Sequence, residues 1–378
     1  MLPDGPFSLN DHRIADLRAD TDGRLHALFA DDVDGDGTAD RLLYAGFDGA
    51  RWSAPAVIAD GPGAVSVPAL VVDGERVQVL WYQGGAADPL DFRDLLQREL
   101  AGGAWSPARP LHRAVDAESP LPVLATAAAA DGRGHAVFAG PGGTLLHTVR
   151  GGAAWGQTIR AGDGGTDARL AAAPDGTLAL ATLALAIHPL MPPGTTAHNS
   201  VWVRIYQDGR WEPATAVHPE PAEHAHAPQL AWDGDGVLHA VWTQGEGGAL
   251  LPTRLLHARS PDGRRWSEPV DVAPSAGKVL FSPRLAVDGD GRVHLTVARF
   301  QDGVSEPVHF HATFGGGRWT RPAQILPSAG RRDSELETAV DARGHVHAVW
   351  EDADGRYHHA TLSASTPPPR PGNAEPGK

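Results

Sequence analysis

Along most of this chain apolar and polar positions alternate in short runs, a period of two that predicts β-strands and leaves little room for helices. The alternation recurs in one frame. Pro228-Gln-Leu-Ala-Trp-Asp-Gly-Asp-Gly-Val-Leu-His-Ala-Val-Trp242 is matched by Pro283-Arg-Leu-Ala-Val-Asp-Gly-Asp-Gly-Arg-Val-His-Leu-Thr-Val297. The frame returns from Arg13 to Phe29, Pro122 to Phe138 and Leu336 to Trp350. Weaker copies run from Pro68 to Trp81 and from Arg169 to Thr182, which makes seven. Each copy reads as two strands joined by a tight Asp/Gly turn, where glycine supplies the positive φ. A third strand follows, such as Leu255–Arg259, then a turn, a Trp and a fourth strand. The turn-end tryptophans are Trp52, Trp105, Trp155, Trp211, Trp266 and Trp319, spaced 50 to 56 residues apart. Four strands in about 50 residues is the signature of a propeller blade.

The expected fold is therefore all-β, a seven-bladed β-propeller of four-stranded blades occupying residues 1–365 as one domain. Six tryptophans for seven copies means that the last copy stops after its third strand. Gly5-Pro-Phe-Ser-Leu-Asn10 stands in a fourth-strand frame, so the N-terminal strand is expected to join the last blade and close the ring. Closure removes the open sheet edges that invite aggregation. Leu90–Leu100 is the one stretch that predicts a helix of a few turns, and the Pro-rich residues 366–378 predict a disordered tail.

The repeat also reclassifies the histidines, of which there are 19. His26, His135, His239, His294 and His347 share one position on the second strand; His147, His257, His311 and His359 share another on the third. A residue repeated from blade to blade is packing, because a catalytic site needs one asymmetric constellation. The recurring turn aspartates follow the same logic. The remaining chemistry is expected on the face that carries the second-to-third strand connections, which are long and individual (84–93, 188–200, 244–252). There the strand ends gather carboxylates, imidazoles and arginines. The catalytic candidates are His224, His226, Arg13, Glu335, Glu351 and Asp167; the substrate-binding candidates are Tyr82, Gln83, Gln244, Gln301, His188, His198 and Arg169. This mixture suits a sugar or uronate. A lyase would draw its base and carboxylate-neutralising group from the His and Arg set, a hydrolase would use two carboxylates, and a non-catalytic propeller would bind a glycan or protein with the same pocket.

Asp32-Val-Asp34-Gly-Asp36-Gly37-Thr38-Ala-Asp40 places oxygen ligands at alternate positions around a glycine bend, as Ca²⁺ requires. It is similar to the calcium hairpins of integrin-type propellers, and a cation held there would be structural. A transition metal on His188, His198, His224 and His226 is a further alternative. With a net charge of −14 and no basic patch, nucleic acid is excluded as a partner; a polysaccharide or oligosaccharide is the expected one. No apolar run reaches the roughly 20 residues needed to span a bilayer. The N-terminus does not read as a signal peptide, so the protein is expected in the cytoplasm unless a signal was removed before a secreted or periplasmic life. The absence of Cys excludes thiol chemistry.

Ser260-Pro-Asp-Gly-Arg-Arg-Trp266 resembles the Asp-box (bacterial neuraminidase repeat) of sialidase-like propellers, one residue short of its usual length. Phe47-Asp-Gly-Ala-Arg-Trp52 and Gln207-Asp-Gly-Arg-Trp211 are shorter versions. The resemblance implies the propeller fold and leaves activity open. His12-Arg13-Ile14-Ala15 resembles the Arg-Ile-Pro opening of sialidases with Ala in place of Pro, and no framed arginine triad or Tyr–Glu pair follows. Sialidase activity is therefore not expected.

Overall fold

The computed structural model describes residues 13–362, apart from 36–37, 62, 74–75, 86–91, 93, 114–122, 153, 186–198, 219–222, 246–250, 273–277, 301–307, 326–336 and 352–356. It forms seven antiparallel sheets, each with its strands in chain order. Their first strands are Arg13–Ala19, Val65–Asp73, Leu124–Ala128, Thr166–Ala172, Ala225–Trp232, Leu280–Val287 and Glu337–Val340, which define blades 1 to 7. Each first strand packs on the next, and Glu337–Val340 returns to Arg13–Ala19, so the ring is closed. This is the seven-bladed β-propeller expected from the repeat. Blade 7 shows three strands among the described residues; the proposed closing segment, 5–10, lies outside them, as does the tail.

The blades interlock through apolar side chains on both sheet faces. Trp81, Trp242, Phe29 and Phe138 occupy one repeated second-strand position and are fully buried. Leu90–Leu100 departs from expectation. Asp94–Ala101 is the third strand of blade 2, paired from Gln83–Asp94 to Val77–Leu100. Its helix-forming residues are overridden by a ladder that satisfies the backbone along its whole length.

The repeated histidines form a polar lattice inside the blades. In blade 5, His239 Nδ1 lies 2.9 Å from His257 Nε2, and His239 Nε2 lies 3.1 Å from Asp233 Oδ2. Blade 6 repeats this with His294, His311 and Asp288 at 3.0 and 3.0 Å. In blade 3, His135 Nδ1 lies 3.1 Å from His147 Nε2, while the indole N–H of Trp211, from blade 4, donates to His147 Nδ1 at 3.2 Å. In blade 3 the Trp211 N–H makes His147 Nδ1 the acceptor, so His147 Nε2–H donates to His135 Nδ1. In blades 5 and 6 the inner Nε2–H donates to the turn carboxylate, which leaves the inner Nδ1 to accept from the outer Nε2–H. Both imidazoles are then neutral. Tyr44 fills the outer position in blade 1, with its hydroxyl 2.8 Å from His26 Nδ1, and Gln97 fills it in blade 2, accepting from Trp155 Nε1 at 2.9 Å.

The first-to-second turns meet beneath the central axis. Gly234 donates its N–H to Gly291 O, and Gly289 donates to Ala342 O, both at 2.9 Å. A Cβ on Gly234 would stand 2.8 Å from the Gly291 Cα. The Asp-Gly-Asp-Gly repeat is thus a turn-to-turn contact that admits no side chain. At the Asp-box-like turn, Asp262 Oδ1 accepts the N–H groups of Arg264 and Arg265 at 2.9 and 2.9 Å, and Trp266 packs against the core of blades 4 and 5.

Candidate functional site

Antiparallel register brings first-strand starts and second-strand ends to one face: Val65 pairs with Gln83, Ala225 with Gln244 and Leu280 with Arg299. This is the variable-loop face. At its centre a cavity of about 670 Å³ runs between the first strands of all seven blades, a volume suited to a small ligand.

The first strands bend at this end. Val67, Asp167, Ala227 and Ser282 have φ of 46, 49, 48 and 48°, each within a register shift of its strand. Four equivalent bulges make the left-handed backbone of Asp167 a property of the scaffold. Below the bulge one register position faces the channel. It holds Asp16, Ala69, Ala125, Arg169, Gln229, Arg284 and Glu337 in blades 1 to 7, the partners of Leu28, Leu80, Val137, Ala181, Val241, Thr296 and Val349. Arg284 Nε donates to Glu337 Oε2 at 2.9 Å, and its Nη2 donates to Glu337 Oε1. Asp16 Oδ2 accepts the Leu70 N–H at 2.9 Å, and Thr126 Oγ1 donates to Leu70 O at 2.7 Å. These side chains satisfy a free inner sheet edge.

Three of the expected catalytic residues come together between blades 4 and 5. His224 Nδ1 accepts the Asn199 N–H at 3.0 Å. The half-buried His226 ring makes no hydrogen bond or ion pair among the described residues. Burial pushes its pKa down, the neighbouring His224 adds to that, and the charge of Asp167 opposes it. Arg169, two residues along the strand from Asp167, is half-buried and lines the channel. Its Nη1 donates to Ala168 O at 2.8 Å.

The other expected residues are placed differently. Tyr82 is 2 % exposed; its hydroxyl donates to Val123 O and accepts the Ala139 N–H, both at 3.1 Å, which pins blade 2 to blade 3. Gln83 Oε1 accepts from Trp81 Nε1 at 3.1 Å, and its Nε2 donates to Gly63 O at 2.7 Å. Gln244 accepts from Trp242 at 3.1 Å in the same way. Both glutamines therefore complete a repeated Trp–Gln pair. Glu351 is buried at the end of the second strand of blade 7. Glu335, Gln301, His188, His198 and the Arg13 side chain lie outside the described residues. In the acidic hairpin, Asp32 Oδ1 accepts the Gly35 N–H at 2.7 Å and Asp40 Oδ1 the Val33 N–H at 3.1 Å; Asp34 and Thr38 are described and Asp36 is not. Among the described residues no group of three or more acidic or imidazole side chains is disposed to hold a metal. No described helix is long and apolar enough to cross a membrane.

The channel ring of Asp16, Gln229 and Arg284 was not singled out from sequence. Its signal is there in hindsight: within the repeated frame, the residue after Pro68, Pro228 and Pro283 changes from Ala to Gln to Arg while its neighbours recur.

No family model matches the chain, and no curated protein matches it. Solved structures do. An ulvan lyase of a new polysaccharide lyase family, bound to a repeat of glucuronic acid and 3-sulfated rhamnose, aligns with a TM-score of 0.63 and 11 % identity over 94 % of each chain. A protein of unknown function from Dyadobacter fermentans gives 0.55 and 14 % identity over 94 % of this chain and 95 % of that one. A variant of AofleA from Arthrobotrys oligospora gives 0.50 and 14 % over 85 % and 88 %. The likeness is one of fold. At such identities the shared β-propeller carries no residue roles across.

Proposed function

We propose that this propeller is a glycan-directed enzyme working at the channel mouth on the variable-loop face, with His226 as its base. The observation that carries this reading is the His226 ring itself: half-buried, without a hydrogen-bond partner among the described residues, and beside His224 and Asp167 at the rim of a polar channel. Its lowered pKa keeps it neutral at pH 7, so a ring nitrogen can take a proton. The carboxylate of Asp167 favours the imidazolium that results.

Elimination uses such a base directly. His226 removes the proton α to a uronate carboxylate, the C4–O bond breaks with its electron pair as the C4–C5 double bond forms, and the departing oxygen takes a proton from water while His226 later returns its own to solvent. Hydrolysis needs two carboxylates flanking one bond. Asp167 and Glu351 stand on blades 4 and 7, and no described contact joins them. The geometry therefore favours a polysaccharide lyase over a hydrolase, and the fold shared with an ulvan lyase agrees by analogy. A non-catalytic glycan-binding propeller is the competing reading.

The test is a screen of the purified protein against neutral, uronic and sulfated polysaccharides, with calcium and with chelator. Ultraviolet absorbance reports an unsaturated uronate and reducing-end assay reports hydrolysis. Absorbing product that His226→Ala abolishes supports the lyase. Reducing ends alone move the chemistry to the carboxylates, and silence with glycan binding retained moves it to the binding propeller. The chelator arm asks whether Asp32, Asp34, Asp36, Thr38 and Asp40 take Ca²⁺.

A further inference from the structure

We propose that the central channel holds a site for a small oxyanion, a carboxylate or a tetrahedral mineral anion, centred on Arg169. The proposal goes beyond the glycan reading, because it stands on the channel alone.

The first-strand register sets Arg169, Gln229 and Arg284 side by side on blades 4, 5 and 6. Arg284 is committed to Glu337 through both carboxylate oxygens. Asp16 is committed to the Leu70 N–H and to Arg18, whose Nε lies 3.0 Å from its Oδ1. Arg169 differs. Its one hydrogen bond among the described residues goes to the carbonyl of its own neighbour, and no described carboxylate stands within ion-pair distance of it. Burial is the largest influence and pushes its pKa down; Arg284 and Arg18 add to that by repulsion, and the attraction of Asp167 and Glu337 opposes it. The channel lining carries three arginines (Arg18, Arg169, Arg284) against two carboxylates (Asp16, Glu337), an excess of one positive charge in a chain of net charge −14. Gln229, 6 % exposed, also lines the channel, and its amide nitrogen meets no acceptor.

A buried donor without an acceptor, as at Gln229, is costly, and a half-buried guanidinium with no carboxylate partner adds to the cost. The missing chemistry is a compact group with several acceptor oxygens and a negative charge. A carboxylate or sulfate-like anion matches the guanidinium fork, and the cavity of about 670 Å³ leaves ample room.

The experiment follows thermal unfolding and calorimetry of the full chain in chloride buffer at fixed ionic strength. Glucuronate, sulfate and phosphate are the probes, with glucose as the neutral control. At least one anion is expected to raise the unfolding temperature saturably, by about 2 °C at a large excess over its Kd, while glucose and added chloride do nothing. Arg169→Met should abolish that increment, yet unfold in anion-free buffer at or above the parent's temperature, since a half-buried charge without a carboxylate partner is gone. Should that variant fail to fold, Arg169→Lys, which keeps the charge and loses the fork, must weaken the anion at least tenfold. Which probe binds separates an acidic sugar from a mineral ion. No stabilisation by any of the three, or an increment that survives at Arg169→Met, overturns the proposal. Neither outcome depends on turnover, so it remains distinct from failure of the lyase reading.

Discussion

Two sets of imidazoles divide this molecule. Inside the blades, His239 and His257, like His294 and His311, are bonded to each other, and the inner ring of each pair is bonded to a turn carboxylate. At the channel mouth, burial also displaces His226 toward the neutral form, but its ring makes no hydrogen bond among the described residues. Burial lowers the pKa in both places, so a lowered pKa alone does not mark a site. What separates them among the described residues is the hydrogen-bond inventory: the paired imidazoles brace their blades through a shared bond, and His226, which shares none, is the ring proposed as a base.

The largest expected effect breaks the lattice all at once. Burial pushes His135, His311 and His359 down to about 4, and His147 and His257 to about 3. Unfolded, each titrates near 6.5. Above that pH neither state binds the proton and the lattice contributes in full. As pH falls from 6.5 toward 4, the unfolded chain takes up protons that the folded chain refuses, so stability falls. Each unit of lowering is worth about 1.4 kcal/mol, and the histidines act together. Chemical denaturation at pH 7.5, 6, 5 and 4.5 should show a steep, cooperative loss below pH 6. A flat profile down to pH 4.5 would erase the distinction between brace and base.

A single brace costs less. His239→Leu strips partners from both Asp233 Oδ2 and His257 Nε2 in the blade interior, and should lower the free energy of unfolding by about 2–4 kcal/mol in denaturant titrations. Blade 4 supplies the internal control. Ala179 and Val203 stand at its two lattice positions, so it shows that apolar packing also builds a blade.

This split explains what could be read from the chain. The blade count, the ring and the structural standing of nine histidines were legible because they recur, and recurrence in one frame reports a shared environment. Asp167, His224 and His226 were legible as polar residues at strand ends. The role of Tyr82 was not: it sits at a strand end too, but its hydroxyl reaches across to the Val123 carbonyl and the Ala139 N–H of the next blade, a contact between segments over 40 residues apart. The channel ring was hidden for a related reason. Only the bulge in the first strands, invisible in the alternation, decides which of two adjacent residues faces the axis.

Tyr82→Phe sharpens that point. It should cost about 0.5–1.5 kcal/mol by removing the hydroxyl's two bonds, while the Ala139 N–H keeps the Val123 carbonyl as its partner at 3.1 Å, with any change in turnover following the loss of folded protein. A variant of parental stability but impaired glycan binding would return Tyr82 to the site.

The smallest stability change is the most telling. His226→Asn removes a half-buried ring that holds no partner among the described residues, so the unfolding free energy should move by less than about 0.5 kcal/mol. Loss of a positioned general base, by contrast, typically costs about 10²–10⁴ in rate. A folded protein of parental stability that binds glycan and no longer forms unsaturated product is the expected result. The pH profile carries the second half of the argument. In the parent, activity should rise with pH through a pKa below 6.5 as His226 loses its proton, and in Asp167→Asn that limb should move lower still, because the charge favouring the imidazolium is gone. A His226→Asn protein that unfolds as readily as His239→Leu would place this ring among the braces after all.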